Sequence, residues 1–431
     1  MSDLPKGWAR GTLGEIGTWG SGGTPRKGHP EFYDGTIPWA VIGDLNDSLV
    51  YSTQTSITPL GLKASSAKLI KAGSLLVAMY GSIGKLGIAG MDMATNQAIA
   101  FFRPNGVIDT KYLFWYLLSQ RQHLGTAGKG ATQQNISQTI LKSWPVRIPP
   151  APEQQRIVEA IEEHFSRIDA AGKSARSARG RLASFWNAAL HKVFDPAWDR
   201  PLLDKVNDPE RPICYGILKP KTPNHGVIPY VEVRSISKGQ IKVDELHKTT
   251  LELHEAFPRS CLKPHDVVMA IRGSYDRAAV VPATLTGANV SRDVARMSPT
   301  RQLLPGFLAA FLVSPEAQRY FSEHARGVAV QGVNIGDLRR LPVPVPTIDD
   351  QRTALDRIER LGAASRRIRE EIDLAERRSR QLRRSVLSRA FSGRLVAQVP
   401  DDEPVSHLLE RIKGERLEPL GHNNRKKKVT S

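Results

Sequence analysis

Cysteine is almost missing from this chain: Cys214 and Cys261 are the only two in 431 residues. Two isolated thiols make neither a disulfide framework nor a zinc site, so a reducing cytoplasm is the expected setting. Long hydrophobic runs are missing as well. Leu69 to Ala89 comes nearest, but Lys71, Lys85 and several glycines interrupt it, which excludes a bilayer-spanning helix there. The first residues, Met1 to Lys6, lack the apolar stretch of a signal peptide. Catalytic signatures are equally scarce. Gly84-Lys85 is followed by Leu86 and has no upstream glycine, so it is no phosphate loop. No glycine-rich cofactor fingerprint stands between a strand and a helix, and the 11 histidines lack the spacing of a metal site. There is no Asn-Pro-Pro-aromatic segment of the kind amino-methyltransferases use on a flipped base. Pro400-Asp401 with Glu410 and Lys413 is the nearest approach to a metal-dependent nuclease motif. Its last pair has the wrong spacing, and the segment reads instead as a capped amphipathic helix with Val405, Leu408, Leu409 and Ile412 on one face. Acidic residues are outnumbered 43 to 61 by basic ones, a formal charge of +18 that favours a polyanionic partner, nucleic acid first. A merely soluble basic protein is the alternative reading of that charge.

What is present is present twice. The chain is long enough for two or three domains, and its two halves match in order. Ile37-Pro38-Trp39 pairs with Ile228-Pro229-Tyr230 at an offset of 191. The segments Lys71 to Ser82 and Lys263 to Ser274 follow at 192, and Tyr112-Leu113 with Phe307-Leu308 at 195. Gln134-Asn135-Ile136 parallels Val333-Asn334-Ile335 at 199, and Leu190 and Phe194 match Leu387 and Phe391 at 197. A small drift in the offset is what loop insertions produce, so a whole domain is duplicated. Each half opens with short β-like runs between Gly, Pro and Asn turns, as at Ile37–Ile42, Ser74–Tyr80, Ala98–Phe102 and Val267–Ile271. One helical segment interrupts each set, at Tyr112–Gln122 and Gly306–His324.

Each half closes on a proline-rich strand and a long charged helix. Trp144-Pro145-Val146-Arg147-Ile148-Pro149-Pro150-Ala151-Pro152-Glu153-Gln154-Gln155-Arg156 is the first such junction, and Leu341 to Arg352 repeats it 197 positions later. The helix after the first would span roughly 60 Å. Its apolar residues, from Val158, Ile161 and Phe165 to Leu182 and Trp186, keep a 3-4 heptad register, as do Ile358, Leu361, Ile368, Ile372, Leu382 and Val386 in the second. So narrow a stripe predicts a coiled-coil seam. The expected fold is therefore α+β: two similar mixed α/β domains joined by two long antiparallel coiled-coil helices, an elongated pseudo-twofold duplication. Arginine exceeds acid on the second helix, which suits a solvated face, DNA or a docked partner. Arg425 to Lys428 is a basic terminal run, expected to be disordered.

Binding chemistry is better represented than catalysis. Ser21, Thr24, Arg26 and Lys27 lie on a glycine-rich loop, read as flexible, suited to phosphate contact. More telling are Tyr80-Gly81-Ser82-Ile83-Gly84-Lys85 and its counterpart Arg272-Gly273-Ser274-Tyr275-Asp276-Arg277. A retained Gly-Ser turn with altered polar neighbours is what two readers of different sequence would show. Arginine there can contact guanine in bidentate fashion, and Asn96, Gln97, Asn289 or Arg292 can address other base edges. Lys129 with Gln133, and Arg326 with Gln331, share a cation-Gly then amide pattern that serves a turn or a phosphate equally well. Arg234 completes the candidate DNA-contacting set.

Taken in this order, the pattern resembles the DNA-specificity subunit of type I restriction–modification systems. The resemblance runs from about Leu4 to Val396 and rests on the duplication, on Pro149 to Val158, and on Ser385-Val386-Leu387-Ser388-Arg389-Ala390-Phe391-Ser392-Gly393-Arg394-Leu395-Val396. Gly22-Gly23-Thr24-Pro25 and Ile37-Pro38-Trp39 are also typical of the family's recognition domains. It implies target-recognition domains at 1–150 and 197–347, conserved helices at 151–196 and 348–396, and a tail at 397–431 without a family counterpart. It further implies a subunit without its own active site or cofactor, binding double-stranded DNA, two methyltransferase (modification) subunits and restriction (helicase-nuclease) subunits. Those partners are expected to use S-adenosylmethionine, ATP and Mg. Two other readings stay open: a related system with modification and cleavage on one polypeptide, and a coiled-coil scaffold that binds no DNA. Asp349-Asp350 replaces Pro152-Glu153 at the second junction, a departure that predicts a less stiff shoulder there.

Overall fold

The computed structural model describes residues 4–127, 135–218, 226–237, 239–327 and 332–417. Its contacts divide the chain into two units, Met1–Lys173 with Ala375–Ser431, and Ser174–Leu374. Each unit holds one α/β core and a stretch of both long helices.

In the first unit a five-stranded sheet runs in the order Gly17–Ser21, Ile99–Pro104, Leu75–Ala78, Leu86–Ala89, Ser48–Val50. Only Ser48–Val50 pairs in parallel; the rest of the ladder is antiparallel. Leu75–Ala78 is buried on both faces, because successive side chains alternate. Leu75 and Val77 join the cluster of Phe102 and Tyr112, while Leu76 and Ala78 join that of Leu45 and Ile70. The helix Thr110–Ala127 covers the first face with Tyr112, Leu113, Tyr116, Leu117 and Leu124, the i, i+4 spacing of an amphipathic helix. A smaller sheet joins Ser56–Ile57, Tyr33–Ala40 and Ala94–Thr95.

The second unit repeats this plan down to the register. Val77 faces Leu86 across the first hairpin, and Met269 faces Ala278 in the second, both 192 residues on. Trp39 pairs in parallel with Ala94, and Tyr230 with Asn289. The four-stranded order is Cys214–Tyr215, Val294–Met297, Val267–Ala270, Ala278–Val280, beside a three-stranded sheet of His247–Thr249, Ile228–Val231 and Asn289–Val290. One expectation fails here. The segment Gly306–His324 is not a single helix but two, Pro305–Leu312 and Pro315–His324. Pro315 has no N–H to continue a helix, and Ser314 caps the new one by accepting from the Ala317 N–H at 3.3 Å.

Both long helices form as expected, over Ala151–Val193 and Ile348–Ala390. They pack antiparallel within each unit: Arg383 pairs with Asp169 and covers the Phe165 ring at 5.1 Å in the first, and Arg179 meets Asp373 at 2.6 Å in the second. The apolar stripe is not a continuous seam, however. Ile157, Val158, Ile161 and Phe165 sink into the first unit's α/β core, whereas Ile368 and Leu382 stay 44% and 53% exposed.

The two junctions solve the same problem differently. Pro145–Ile148 is an antiparallel strand against Ala9–Thr12. In the second half Pro342, Pro344 and Pro346 alternate, leaving donors only at Val343 and Val345, which bond the carbonyls of Pro201 and Asp199 at 2.9 Å each. The tail also has a place that its sequence did not announce. Val405 is buried, its N–H donates to the Gly7 carbonyl at 3.1 Å, and Leu408 and Leu409 pack on the first unit's core. Asp402 does not cap the helix Val405–Leu417; it pairs with Arg156 at 2.5 Å. The run Arg425 to Lys428 lies outside the described residues.

Candidate nucleic-acid interface

The hairpin tips are the best-defined candidate surface. In the first, Tyr80, Gly81 and Ser82 stand exposed beyond the last strand pair, with Gly81 in the left-handed region at φ +64. In the second, Arg272 and Gly273 do the same, with Gly273 at φ +74. A side chain at either glycine would meet nothing within 4 Å, so it is backbone shape and not crowding that asks for glycine. Below the tips the backbone is pinned. Ile136 N–H donates to the Met79 carbonyl and Val333 N–H to that of Ile271, each at 2.9 Å. Tyr80 bridges to Asn135, and Arg272 to Gly332. Gly332 also exchanges two 3.0 Å hydrogen bonds with Arg326, which brings Arg272 and Arg326 to one edge.

Several expected DNA contacts turn out to hold the loops instead. Lys85 Nζ donates to the Ile42 carbonyl at 3.2 Å, and Arg277 donates to the equivalent Val233 carbonyl at 3.2 Å. Both cations thus anchor a neighbouring turn. Asn289 is fully buried and bonds Ser260 at 2.6 Å and the Val290 N–H at 2.8 Å, so it cannot reach a base. Asn96 accepts from the Ala98 N–H at 3.1 Å, shaping a turn. Tyr275 leans on Phe321 with ring centroids 6.2 Å apart, and Ser274 bonds Asp276. Arg234 is held by Glu232 at 3.0 Å and His247 at 2.7 Å. The loop carrying Ser21 is packed, not flexible: a Cβ on Gly22 would come within 1.9 Å of the Thr95 carbonyl oxygen. Trp39 and Tyr33 hold it further through the Gly23 and Pro25 carbonyls, at 3.0 and 2.6 Å. Ser21 ends a strand opposite Ala100, Thr24 bonds Gln97, and Arg26 and Lys27 remain exposed at the loop end. Arg292 is exposed, with Asp293 at 3.7 Å. Lys129, Gln133 and Gln331 lie outside the described residues. Among the described residues no His, Cys, Asp and Glu group stands together as a metal site, and no helix is long and apolar enough to cross a membrane.

Known proteins share this arrangement. A profile of the type I restriction modification DNA specificity domain matches residues 5–175. The EcoKI specificity subunit of Escherichia coli K12 is 23% identical over 99% of both chains. The EcoBI specificity subunit of Escherichia coli is 27% identical over 69% of this chain and 70% of its own. Residues 5–175 thus match the type I DNA-specificity domain, and the chain is similar to type I specificity subunits along nearly its whole length. The fold agrees: a chain from a solved type I restriction–modification system matches with a TM-score of 0.74 at 19% identity, over 91% of this chain and all of that one. The HsdS subunit of Thermoanaerobacter tengcongensis matches with a TM-score of 0.54 at 17% identity, over 91% and 98%.

Sequence reasoning missed the residues that tie each core helix to the start of its long helix. Gln154 is buried; its amide donates to the carbonyls of Val107 and Pro149 at 3.0 and 2.9 Å and accepts from the Asp109 N–H at 2.7 Å. Gln351, 197 positions on, donates to Gln302 and Pro346 at 2.7 and 3.0 Å and accepts from the Leu304 N–H at 2.8 Å. Asp109 and Leu304 each precede a core helix, so one glutamine ties that helix to the start of the long one. The repeated glutamine was the available signal. Beside it the halves diverge. Glu153 is buried against the Trp8 N–H at 3.0 Å, and burial raises its carboxyl, opposed by that hydrogen bond and by Arg156. Asp350, its counterpart, instead accepts from the Thr347 hydroxyl at 2.6 Å, and Thr347 caps the second helix by accepting from the Asp350 N–H at 3.2 Å.

Proposed function

We propose that the chain is the non-catalytic DNA-reading subunit of a type I restriction–modification complex, each α/β core reading one half of a bipartite target in double-stranded DNA. The observation that carries this reading is the duplicated hairpin tip. Its strand register and its left-handed glycine, Gly81 or Gly273, recur in both halves, while the exposed side chain at the matching position is Tyr80 in one and Arg272 in the other. An exposed arginine on a fixed backbone suits bidentate contact with guanine in a major groove, and Arg26, Lys27 and Arg326 suit phosphates. The long helices set the spacing of the two half-sites and dock two methyltransferase (modification) subunits. Restriction (helicase-nuclease) subunits join these, in the cytoplasm. Adenine methylation and ATP-dependent cleavage belong to those partners, which use S-adenosylmethionine, ATP and Mg.

The test is to map methylation by the complex with its modification subunits. The expected outcome is two short specified segments about one helical turn apart with unread bases between. A single uninterrupted site contradicts the proposal. Arg272→Ala is expected to relax the second half-site alone, by about 1–3 kcal/mol at one base pair, read as new methylated sites that differ only there.

A further inference from the structure

Each recognition hairpin is gripped from behind by one side chain of a covering helix, the single helix Thr110–Ala127 in the first half and the later of the two, Pro315–His324, in the second. Arg121 Nε donates to the Gly84 carbonyl at 2.8 Å. Gln318, 197 positions on, donates through Nε2 to the Tyr275 carbonyl at 3.0 Å. Gly84 and Tyr275 both lie just below the exposed tips, one residue apart in the shared register, where Tyr275 matches Ile83. The two grips differ in kind. Arg121 also bonds both oxygens of Asp47, one of them at 2.9 Å, and Asp47 in turn accepts from the Leu86 N–H at 3.0 Å, on the far side of the same loop. Asp47 itself sits in the left-handed region at φ +55. Gln318 has no such ion pair; its other hydrogen bond goes to Leu312 in its own covering layer, at 2.8 Å.

Resting on the reading of these tips as the DNA contacts, we propose that Arg121 and Gln318 are positioning residues that set how strictly each half-site is read. Neither presents its polar group to DNA. Each fixes the carbonyl on which the tip turns, and a tip that cannot shift cannot adapt to a wrong base. The charged, three-pronged grip of Arg121 makes the first loop the stricter reader. The neutral grip of Gln318 leaves the second loop more tolerant. Bidentate charge-assisted hydrogen bonds carry more geometric constraint than a single amide bond, which gives the difference its direction.

The experiment uses the full chain with its methyltransferase partner and three variants: Arg121→Ala, Arg121→Gln and Gln318→Ala. Two readouts are taken on each. Amide exchange at residues 80–86 reports the grip without DNA. Methylation of a library with single-base changes reports discrimination at each half-site. Arg121→Ala is expected to speed exchange in the first loop and lower discrimination at the first half-site about tenfold, leaving the second unchanged. Arg121→Gln, which keeps a donor for Gly84 as Gln318 does for Tyr275 but loses the Asp47 pair, is expected to restore part of that discrimination, to the tolerance of the second half-site; Gln318→Ala acts on the second half-site alone. Unchanged exchange in Arg121→Ala overturns the positioning role and leaves the DNA-reading function standing. Equal losses in Arg121→Ala and Arg121→Gln also overturn it, since both break the Asp47 pair and only stability would then be at issue. So does a uniform loss across all sequences, the mark of a phosphate contact. If the loop loosens but the unaltered complex shows no bipartite preference, the DNA-reading function falls, and the role in stringency with it.

Discussion

At the scale of single residues, chemistry type was a poor guide to role, because burial and partners decide what a polar side chain does. Lys85 and Arg277 look like base readers in a list of cations, yet both spend their charge on backbone carbonyls. Glu153 makes the opposite point, an acid enclosed where its charge is disfavoured. Burial raises its carboxyl in the folded chain above the unfolded value, so the stability it supports is complete at pH below the unfolded carboxyl's range. That stability is lost as pH rises through the folded value. Glu153→Gln removes this titration. Its melting temperature relative to the unaltered chain is therefore expected to improve between pH 4 and 7 (about the ordinary glutamate range and above). A difference that does not change with pH contradicts the assignment.

At the scale of elements, the junction between each core and its long helix is fixed less by proline than by one buried glutamine. Gln154 and Gln351 each satisfy two carbonyls and one N–H that a buried helix start would otherwise strand. Replacing either with alanine is expected to cost about 2–4 kcal/mol, the penalty of leaving such groups unpaired. The two sites share no partner, so the costs are expected to add in the double variant. Urea unfolding of the three variants measures both statements. At the second junction, which lacks Pro152 and Glu153, Thr347 caps the helix, and Val343 and Val345 between the alternating prolines donate to the carbonyls of Pro201 and Asp199.

At the scale of the molecule, charge and duplication carry the functional argument. An excess of 18 positive charges on a chain proposed to read DNA predicts binding dominated by counterion release. If the complex neutralises six phosphates, the logarithm of its affinity falls with the logarithm of salt at a slope of about −5. Titrations of a specific and an unrelated duplex over a range of salt concentrations test this. Similar slopes with a constant offset are expected, because phosphate contacts are common to both and base contacts supply the difference. A slope near zero for either duplex contradicts the role given to the net charge.

The sequence alone determined the duplicated plan, the two long helices and the resemblance to a family, because repeats, periodicity and proline placement are local patterns that survive without coordinates. Val77 and Met269, aligned by sequence, indeed occupy the same register against Leu86 and Ala278. It did not determine which polar residues face solvent, since that depends on chain segments far away in sequence. Asn289 is hidden by Ser260 and His254, Gly22 is pressed against Thr95, and Arg121 reaches a carbonyl 37 residues upstream. Nor did it show the tail folding back, because a few apolar residues on a short helix do not say which core they cover. Ile368 and Leu382 kept the heptad spacing but not the burial. Spacing prescribes a face; only the tertiary structure supplies what lies against it.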